Sequence, residues 1–335
     1  MDGKQAPHPL CFEHPRSERR QTIRGILCES RAELARLIRT PELDADLLLA
    51  HALERDRSYL HAYPEATLNE AQRRHFDNLV QRRAQGEPLA YILGFKEFWS
   101  LKLRVTQDVL IPRPETELLV ELALARITER AEWKVADLGT GSGAIALAIA
   151  KERPRSRVTA TDISETPLAV AADNAQQLGI TNIRFLAGDW FAPLRGRFHL
   201  IVSNPPYVEA EDPHLRNPAL RFEPRQALIS AERGLEDLKC MARGAGVYLR
   251  PGGWLLVEHG FEQGEATREL FERSGFSGVK TYRDLADRER VTLGFHETDS
   301  ATHDHTTCRT SATACATARR TRDINRPRHS CQIAC

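Results

Sequence analysis

The chain has 335 residues, is 41% hydrophobic and 28% charged, and carries a formal net charge of +1. That length supports one large domain plus a small one. The near-neutral charge excludes a chain-wide basic field of the kind that holds nucleic acid by its phosphates. No apolar run approaches the roughly 20 residues a membrane helix needs. The N-terminal MDGKQAPHPLCFEHPRSERR has no apolar signal-peptide core, so a cytoplasmic protein is expected. Of the seven cysteines, only Cys28 and Cys240 fall in patterned sequence, too few for a disulfide framework.

Residues 1–19 are polar and proline-containing and are expected to be disordered. A small helical domain is expected over 20–86. Thr40-Pro41 reads as an N-cap followed by proline at the first helical position. PELDADLLLAHAL places Leu43, Leu47, Leu48 and Ala50 at helical spacing. Thr67-Leu-Asn-Glu70 has the form of a capping box, opening a helix with Ala71, Phe76, Leu79 and Val80 inward. Gly86-Glu-Pro88 ends it.

A linker follows over 87–114. In it Phe98, Leu101, Leu103 and Val105 alternate with polar residues, as in a short hairpin. Pro114 opens a helix through ETELLVELALARITER. From Lys134 short apolar runs alternate with helical stretches: KVADLG, RVTATDI, IRFLAG, FHLIVSN, GGWLLVEHG, VKTYRDL and RVTLGF. Runs apolar on successive residues suit strands covered on both faces. The alternation predicts an open, mainly parallel, doubly wound α/β sheet over 115–296. Ligands in such sheets bind beyond the carboxyl ends of the strands, at the switch point. The ends of the first and fourth strands, Leu138 and Asn204, are where chemistry is expected. The tail at 297–335 has almost no large apolar residues and is expected to be disordered. Its cysteines and His303, His305 and His329 match no common zinc spacing.

Asp137-Leu-Gly-Thr-Gly-Ser-Gly-Ala144 follows a strand and opens a helix. Such a loop lets a ligand approach the backbone and meet the N–H groups of a helix N-terminus. Gly139, Thr140, Gly141, Ser142 and Gly143 are candidate cofactor-binding residues. Asp162, closing the next strand, is placed to bind ribose hydroxyls. The loop also fits the dinucleotide fingerprint, so a nicotinamide oxidoreductase remains open at this point. Asp137 tilts the choice: a carboxylate beside the loop repels a pyrophosphate and suits a cofactor with a cationic part. Asp189 or Trp190, in GDW, is a candidate to border an adenine ring, with ordinary packing the plain alternative.

Asn204-Pro-Pro-Tyr207 stops a strand with an amide, two rigid residues and a ring. The Asn204 side-chain oxygen and the Pro205 carbonyl form a pair of acceptors for a planar –NH2 group, with Pro206 stiffening the turn and Tyr207 supplying an aromatic face. Asn204, Pro205, Pro206 and Tyr207 are therefore the candidate catalytic and substrate-binding residues. Adenine and a carboxamide both present such a group. A DNA adenine methyltransferase would also need base flipping and a basic surface, and the charge gives no sign of one.

DLGTGSG with NPPY resembles the amino-group methyltransferases that use S-adenosylmethionine. GEPLAYILGFKEFWSLKLRVTQDVLIPRPETELLVE (86–121), PELDADLLLAHAL, FEPRQAL (222–228) and VEHGFEQ (257–263) are similar to one branch, the HemK/PrmC peptide-chain release factor glutamine methyltransferases. The likeness runs from about residue 22 to 295. It implies a class I S-adenosylmethionine-dependent methyltransferase fold with a seven-stranded sheet. It also implies methylation at N5 of the glutamine in the Gly-Gly-Gln motif of release factors, with no stable nucleic-acid or membrane partner and no metal. By motif position, Gly139–Gly143, Asp162, Trp190 and Asn204 would contact S-adenosylmethionine, and Asn204–Tyr207 would grip the glutamine amide. The helical domain would help dock the release factor. Arg113 and Glu117 would lie near the cofactor pocket, or simply bridge the linker. A ribosomal-protein glutamine is the nearest competing substrate.

Overall fold

The structure is a computed structural model that describes residues 21–36 and 38–297. The extension at 1–19 and, Glu297 apart, the tail at 297–335 with its zinc question lie outside the described residues. Two compact units emerge: residues 21–96, 104–107 and 213–224 form one, and 97–103, 108–212 and 225–297 the other.

The smaller unit is helical: α1 (Ile23–Leu34), α2 (Pro41–Leu53), α3 (Arg57–Ala62), α4 (Glu70–Ala84) and α5 (Leu89–Leu93). Its core is built on Ile23, Ile26, Leu34, Leu48, Leu49, Phe76 and Leu79. Three local expectations need correction. Thr40 is the N-cap residue of α2 and Pro41 opens the helix, but the Thr40 hydroxyl caps no backbone amide; it donates to Asp44 Oδ1 at 3.2 Å. The capping box sits two residues later than Thr67–Glu70. The Asn69 side chain accepts from the Gln72 amide (2.9 Å), and the Gln72 side chain accepts from the Asn69 amide (3.0 Å). Thr67 is excluded because its backbone bridges Thr22, and Ala71, in the first turn, is exposed.

In α2, Leu43 is 41% exposed, and the buried face is Pro41, Asp44, Ala45, Leu48 and Leu49. Both sets of positions share helical spacing, so apolar periodicity alone cannot choose between them. The arginines choose. Arg83 Nε lies 2.7 Å from Asp44, and Arg31 and Arg57 lie 2.6 and 3.3 Å from Asp46, so both carboxylates are buried as paired charges.

β1 (Phe95–Phe98) and β2 (Leu101–Arg104) form the expected hairpin. Its two-residue turn, Trp99-Ser100, has both φ angles positive (51° and 55°), as a type I′ turn requires. Phe98, Leu101, Leu103 and Val105 are all buried. A short 3-10 turn at Pro114–Thr116 leads into α6 (Glu117–Leu124), which stops well before Arg130, where the sequence pattern runs on.

The larger unit carries a seven-stranded sheet: β3 (Lys134–Leu138), β4 (Arg157–Asp162), β5 (Ile183–Ala187), β6 (Phe198–Ser203), β7 (Leu249–Glu258), β8 (Phe276–Arg283) and β9 (Glu289–His296). The order is β5-β4-β3-β6-β7-β9-β8, parallel through β7, with β9 antiparallel to β7 and β8. Its connections run through α7 (Ala144–Glu152), α8 (Glu165–Gln177), α9 (Glu236–Tyr248) and α10 (Gly264–Arg273).

Alternate strand residues serve two apolar layers. Val135, Val158, Leu200, Val202 and Leu256 pack in one, with α6 and α7. Ala136, Leu138, Ile201, Leu255 and Val257 pack in the other, with α9. This explains the runs of consecutive apolar residues: each strand has core on both faces. The chain winds outward from β3 in one direction and from β6 in the other, so the switch point lies between β3 and β6.

Candidate active site

In the parallel pairing of β3 with β6, Leu138 aligns with Ser203. The next residue on each strand is Gly139 and Asn204, so the glycine loop and NPPY emerge side by side. Ser203 Oγ donates to the Leu138 carbonyl at 2.7 Å and ties the two strand ends together.

The loop 139–143 is held from several sides. Gly139 and Thr140 amides both donate to the Thr161 carbonyl at 2.9 Å, and Gly143 N–H to the Thr140 carbonyl at 2.9 Å. Gly141 N–H donates to Asp162 Oδ2 at 3.0 Å. The Ser142 carbonyl accepts from the buried Asn174 amide at 2.9 Å. Four of the five loop amides are therefore satisfied within the protein. Where the loop's sequence predicts N–H groups turned toward a ligand, the structure turns most of them inward, which leaves little to hold a pyrophosphate. Gly139 (φ 73°) lies against the Trp190 ring, where a Cβ would come within 3.0 Å of it. Gly141 (φ 57°) has open space on its Cβ side. Trp190 is 7% exposed and belongs to an apolar layer of the core.

Two carboxylates flank this loop. Asp162 accepts from Gly141 and, through Oδ1, from the Ser164 amide (3.1 Å). Asp137 is fully buried: Oδ2 accepts from the Thr140 hydroxyl at 2.6 Å, and Oδ1 has no hydrogen-bond partner. Burial pushes its pKa up to about 7 against the lowering effect of Thr140.

At the end of β6, Asn204 Nδ2 donates to Thr116 Oγ1 at 3.2 Å. Neither Asn204 Oδ1 nor the Pro205 carbonyl accepts a hydrogen bond from any described residue. Tyr207 is anchored at both ends. Its hydroxyl donates to Glu258 Oε1 at 3.2 Å, and its carbonyl accepts from Gln263 Nε2 at 3.0 Å. Burial raises the Tyr207 phenol pKa, helped by the Glu258 charge.

The structure thus gathers residues 139–143, Asp162 and residues 204–207 at one end of β3, β4 and β6, with Trp190 packed against Gly139. Glu117 sits apart from them: its Oε1 accepts the Trp99 amide at 2.8 Å and fixes the hairpin turn. Two residues without a proposed role join the site, Thr116 and Glu258. Both lie in stretches that carry the family likeness, 86–121 and 257–263, but neither belongs to a motif that announces its chemistry.

A family model described as the PrmC N-terminal domain matches residues 26–94, and one described as the methyltransferase small domain matches 115–218. A release factor glutamine methyltransferase of Xylella fastidiosa (strain 9a5c) is 51% identical over 257 residues, 76% of this chain and 94% of that protein. The chain belongs to the release factor glutamine methyltransferases. A second member, from Salmonella typhimurium (strain LT2), is 50% identical over 256 residues, 76% of this chain and 92% of the relative. The solved protein-(glutamine-N5) methyltransferase (release factor-specific) of Alicyclobacillus acidocaldarius is 29% identical with a TM-score of 0.36, covering 58% of this chain and all of that one. As a release factor glutamine methyltransferase, the chain has the class I methyltransferase arrangement of a seven-stranded, mostly parallel sheet. Among the described residues, no helix is long and apolar enough to cross a membrane, and no group of His, Cys, Asp or Glu is arranged to hold a metal ion.

Proposed function

We propose that this chain methylates the side-chain amide nitrogen (N5) of the glutamine in the Gly-Gly-Gln motif of bacterial peptide-chain release factors, with S-adenosylmethionine as donor. The observation that carries the reading is the acceptor pair at the end of β6, Asn204 Oδ1 and the Pro205 carbonyl, beside the glycine loop and taken up by no donor among the described residues.

The loop fits the donor. The buried Asp137 carboxyl behind the loop favours a cofactor with a cationic part over a pyrophosphate, and the open side of Gly141 admits a ligand close to the backbone. Asp162, held at the loop's edge by the Gly141 and Ser164 amides, is the carboxylate we assign to the ribose hydroxyls. Gly139, Thr140, Gly141, Ser142 and Gly143 form the cradle, with Trp190 packed against Gly139 and Asn204 at the neighbouring strand end. S-adenosylmethionine, when bound, supplies an electrophilic methyl group on a sulfonium.

A carboxamide nitrogen is a poor nucleophile because its lone pair is delocalised into the carbonyl. Two acceptors gripping both N–H bonds favour positive charge on that nitrogen and hold its lone pair toward the methyl group. The effect is positioning plus electrostatics. Pro205 and Pro206 keep the acceptor carbonyl rigid, and the Tyr207 ring flanks the held group. The proton leaves the nitrogen after attack, so the step needs no strong base beforehand. The helical unit is the element we assign to docking the release factor.

The test incubates the enzyme and labelled S-adenosylmethionine in parallel with a release factor, a ribosomal-protein mixture and DNA, then locates the methyl group by mass spectrometry. Label on the Gly-Gly-Gln glutamine is expected; label only on DNA or only on ribosomal protein rejects the proposal. Asn204→Ala is expected to lose about 10²-fold or more in turnover, by analogy with lost transition-state hydrogen bonds, with a smaller change in cofactor affinity. Near-normal turnover would sink the acceptor-pair mechanism.

A further inference from the structure

Glu258 is the last residue of β7 and is 1% exposed. Ser203 of β6 aligns with Val257 of β7, so Glu258 stands next to Asn204 in the sheet register. The Tyr207 hydroxyl donates to it at 3.2 Å, and the Thr116 side chain also hydrogen-bonds it. Thr116 in turn accepts from Asn204 Nδ2. A continuous chain therefore runs from the Asn204 amide through Thr116 to Glu258, and from Glu258 to Tyr207.

We propose that Glu258 is a positioning residue: as a carboxylate it sets which way round the Asn204 amide sits, and so keeps the Asn204 oxygen turned to the substrate amide. The inference rests on the reading that Asn204 grips the glutamine –NH2. An ionised carboxylate can only accept hydrogen bonds. Both hydroxyls must then donate to it. With its proton committed to Glu258, Thr116 offers Asn204 a lone pair alone, which selects Nδ2 and leaves Oδ1 for the substrate. A protonated Glu258 becomes a donor to Thr116. The Thr116 proton is then released toward Asn204, and the side chain gains by turning over. Its Nδ2 would now face the substrate –NH2, donor against donor.

The charged and titratable groups around Glu258 come from three elements. Arg290 of β9 favours the anion, Glu115 of the 3-10 turn disfavours it, and Tyr207 favours it through its hydrogen bond. Burial outweighs them and raises the Glu258 pKa to about 7. Loss of the carboxylate thus falls within the range where the enzyme can be assayed.

The test compares kcat against pH at saturating S-adenosylmethionine for wild type, Glu258→Gln, Thr116→Val and Thr116→Ser. Wild-type kcat is expected to fall about tenfold per pH unit below a midpoint near 7. Glu258→Gln is expected to be slower but flat across that range. Thr116→Val should lose tenfold or more in kcat with unchanged affinity for S-adenosylmethionine by calorimetry, and Thr116→Ser should recover most of it. A Glu258→Gln enzyme that keeps the wild-type acid limb, or a Thr116→Val enzyme with wild-type kcat, overturns the proposal. If either variant fails to fold, carbon-13 carboxyl and nitrogen-15 side-chain NMR of the wild type decides. The Asn204 amide resonances should shift with the same midpoint as the Glu258 carboxyl; resonances that ignore that titration overturn it. Wild type inactive on the glutamine would instead reject the functional reading, and the NMR titration would still report the coupling.

Discussion

Both units bury acidic side chains, and some of these are treated in opposite ways. In the helical unit Asp44, Asp46 and Glu87 are each held by arginine, with Arg82 gripping Glu87 through two bonds of 2.8 and 2.6 Å. In the sheet unit Asp137 and Glu258, at the carboxyl ends of β3 and β7, have no ion pair among the described residues, and burial raises both pKa values to about 7. A buried pair closes on itself and serves structure. A buried carboxyl left without a cation carries a standing cost, and such groups concentrate where a ligand or a reaction uses them. The contrast separates scaffold from site by charge bookkeeping rather than by motif.

The largest effect that could break this contrast is in the scaffold. Asp44→Ala leaves the Arg83 guanidinium without its partner and should destabilise the protein by about 3 kcal/mol, read by chemical denaturation, with S-adenosylmethionine affinity unchanged. Lost cofactor affinity with intact stability would reverse the assignment.

Asp137→Asn should act the other way. The folded pKa of Asp137 lies above its unfolded value, so its contribution to stability is full below pH 4 and is lost as pH rises through about 7. Replacing it with a neutral amide should therefore stabilise the free protein above pH 7, on the order of 1–3 kcal/mol, and make no comparable difference at pH 5. The same variant should bind S-adenosylmethionine more weakly. Denaturation at the two pH values and calorimetry at pH 8 check both halves. A variant equally stable to wild type at pH 8 would show that the burial of this charge costs nothing.

The smallest effect belongs to Asp162, a part-exposed carboxylate with two backbone donors. Asp162→Ala should weaken cofactor binding by about tenfold, the scale of one charge-assisted hydrogen bond. Unchanged affinity by calorimetry would remove Asp162 from the ribose role.

Much of the fold was legible because its signals are local and redundant. Consecutive apolar residues in KVADL and HLIVS, each followed by a helical stretch, require strands covered on both faces, and the switch point follows from their order. Asn204 could be placed beside the loop from that order alone. What stayed hidden depends on partners distant in sequence. Leu43 and Asp44 compete for one helix face, and only Arg83, 39 residues away from Asp44, decides. Thr67 has the chemistry of a cap but is occupied by Thr22. The inward-turned loop amides depend on the Thr161 carbonyl of the adjoining strand. Thr116 and Glu258 are ordinary residues in sequence. Their importance arises where the turn before α6 and the end of β7 converge on Asn204 and Tyr207.

The bond from Ser203 Oγ to the Leu138 carbonyl has one more consequence. It makes the loop and the acceptor pair parts of a single rigid block, so the spacing between methyl donor and amide is set by sheet stiffness rather than by a closing motion. Ser203→Ala should then behave as a misaligned instrument: each ligand binds as before, while the fraction of collisions with correct aim declines.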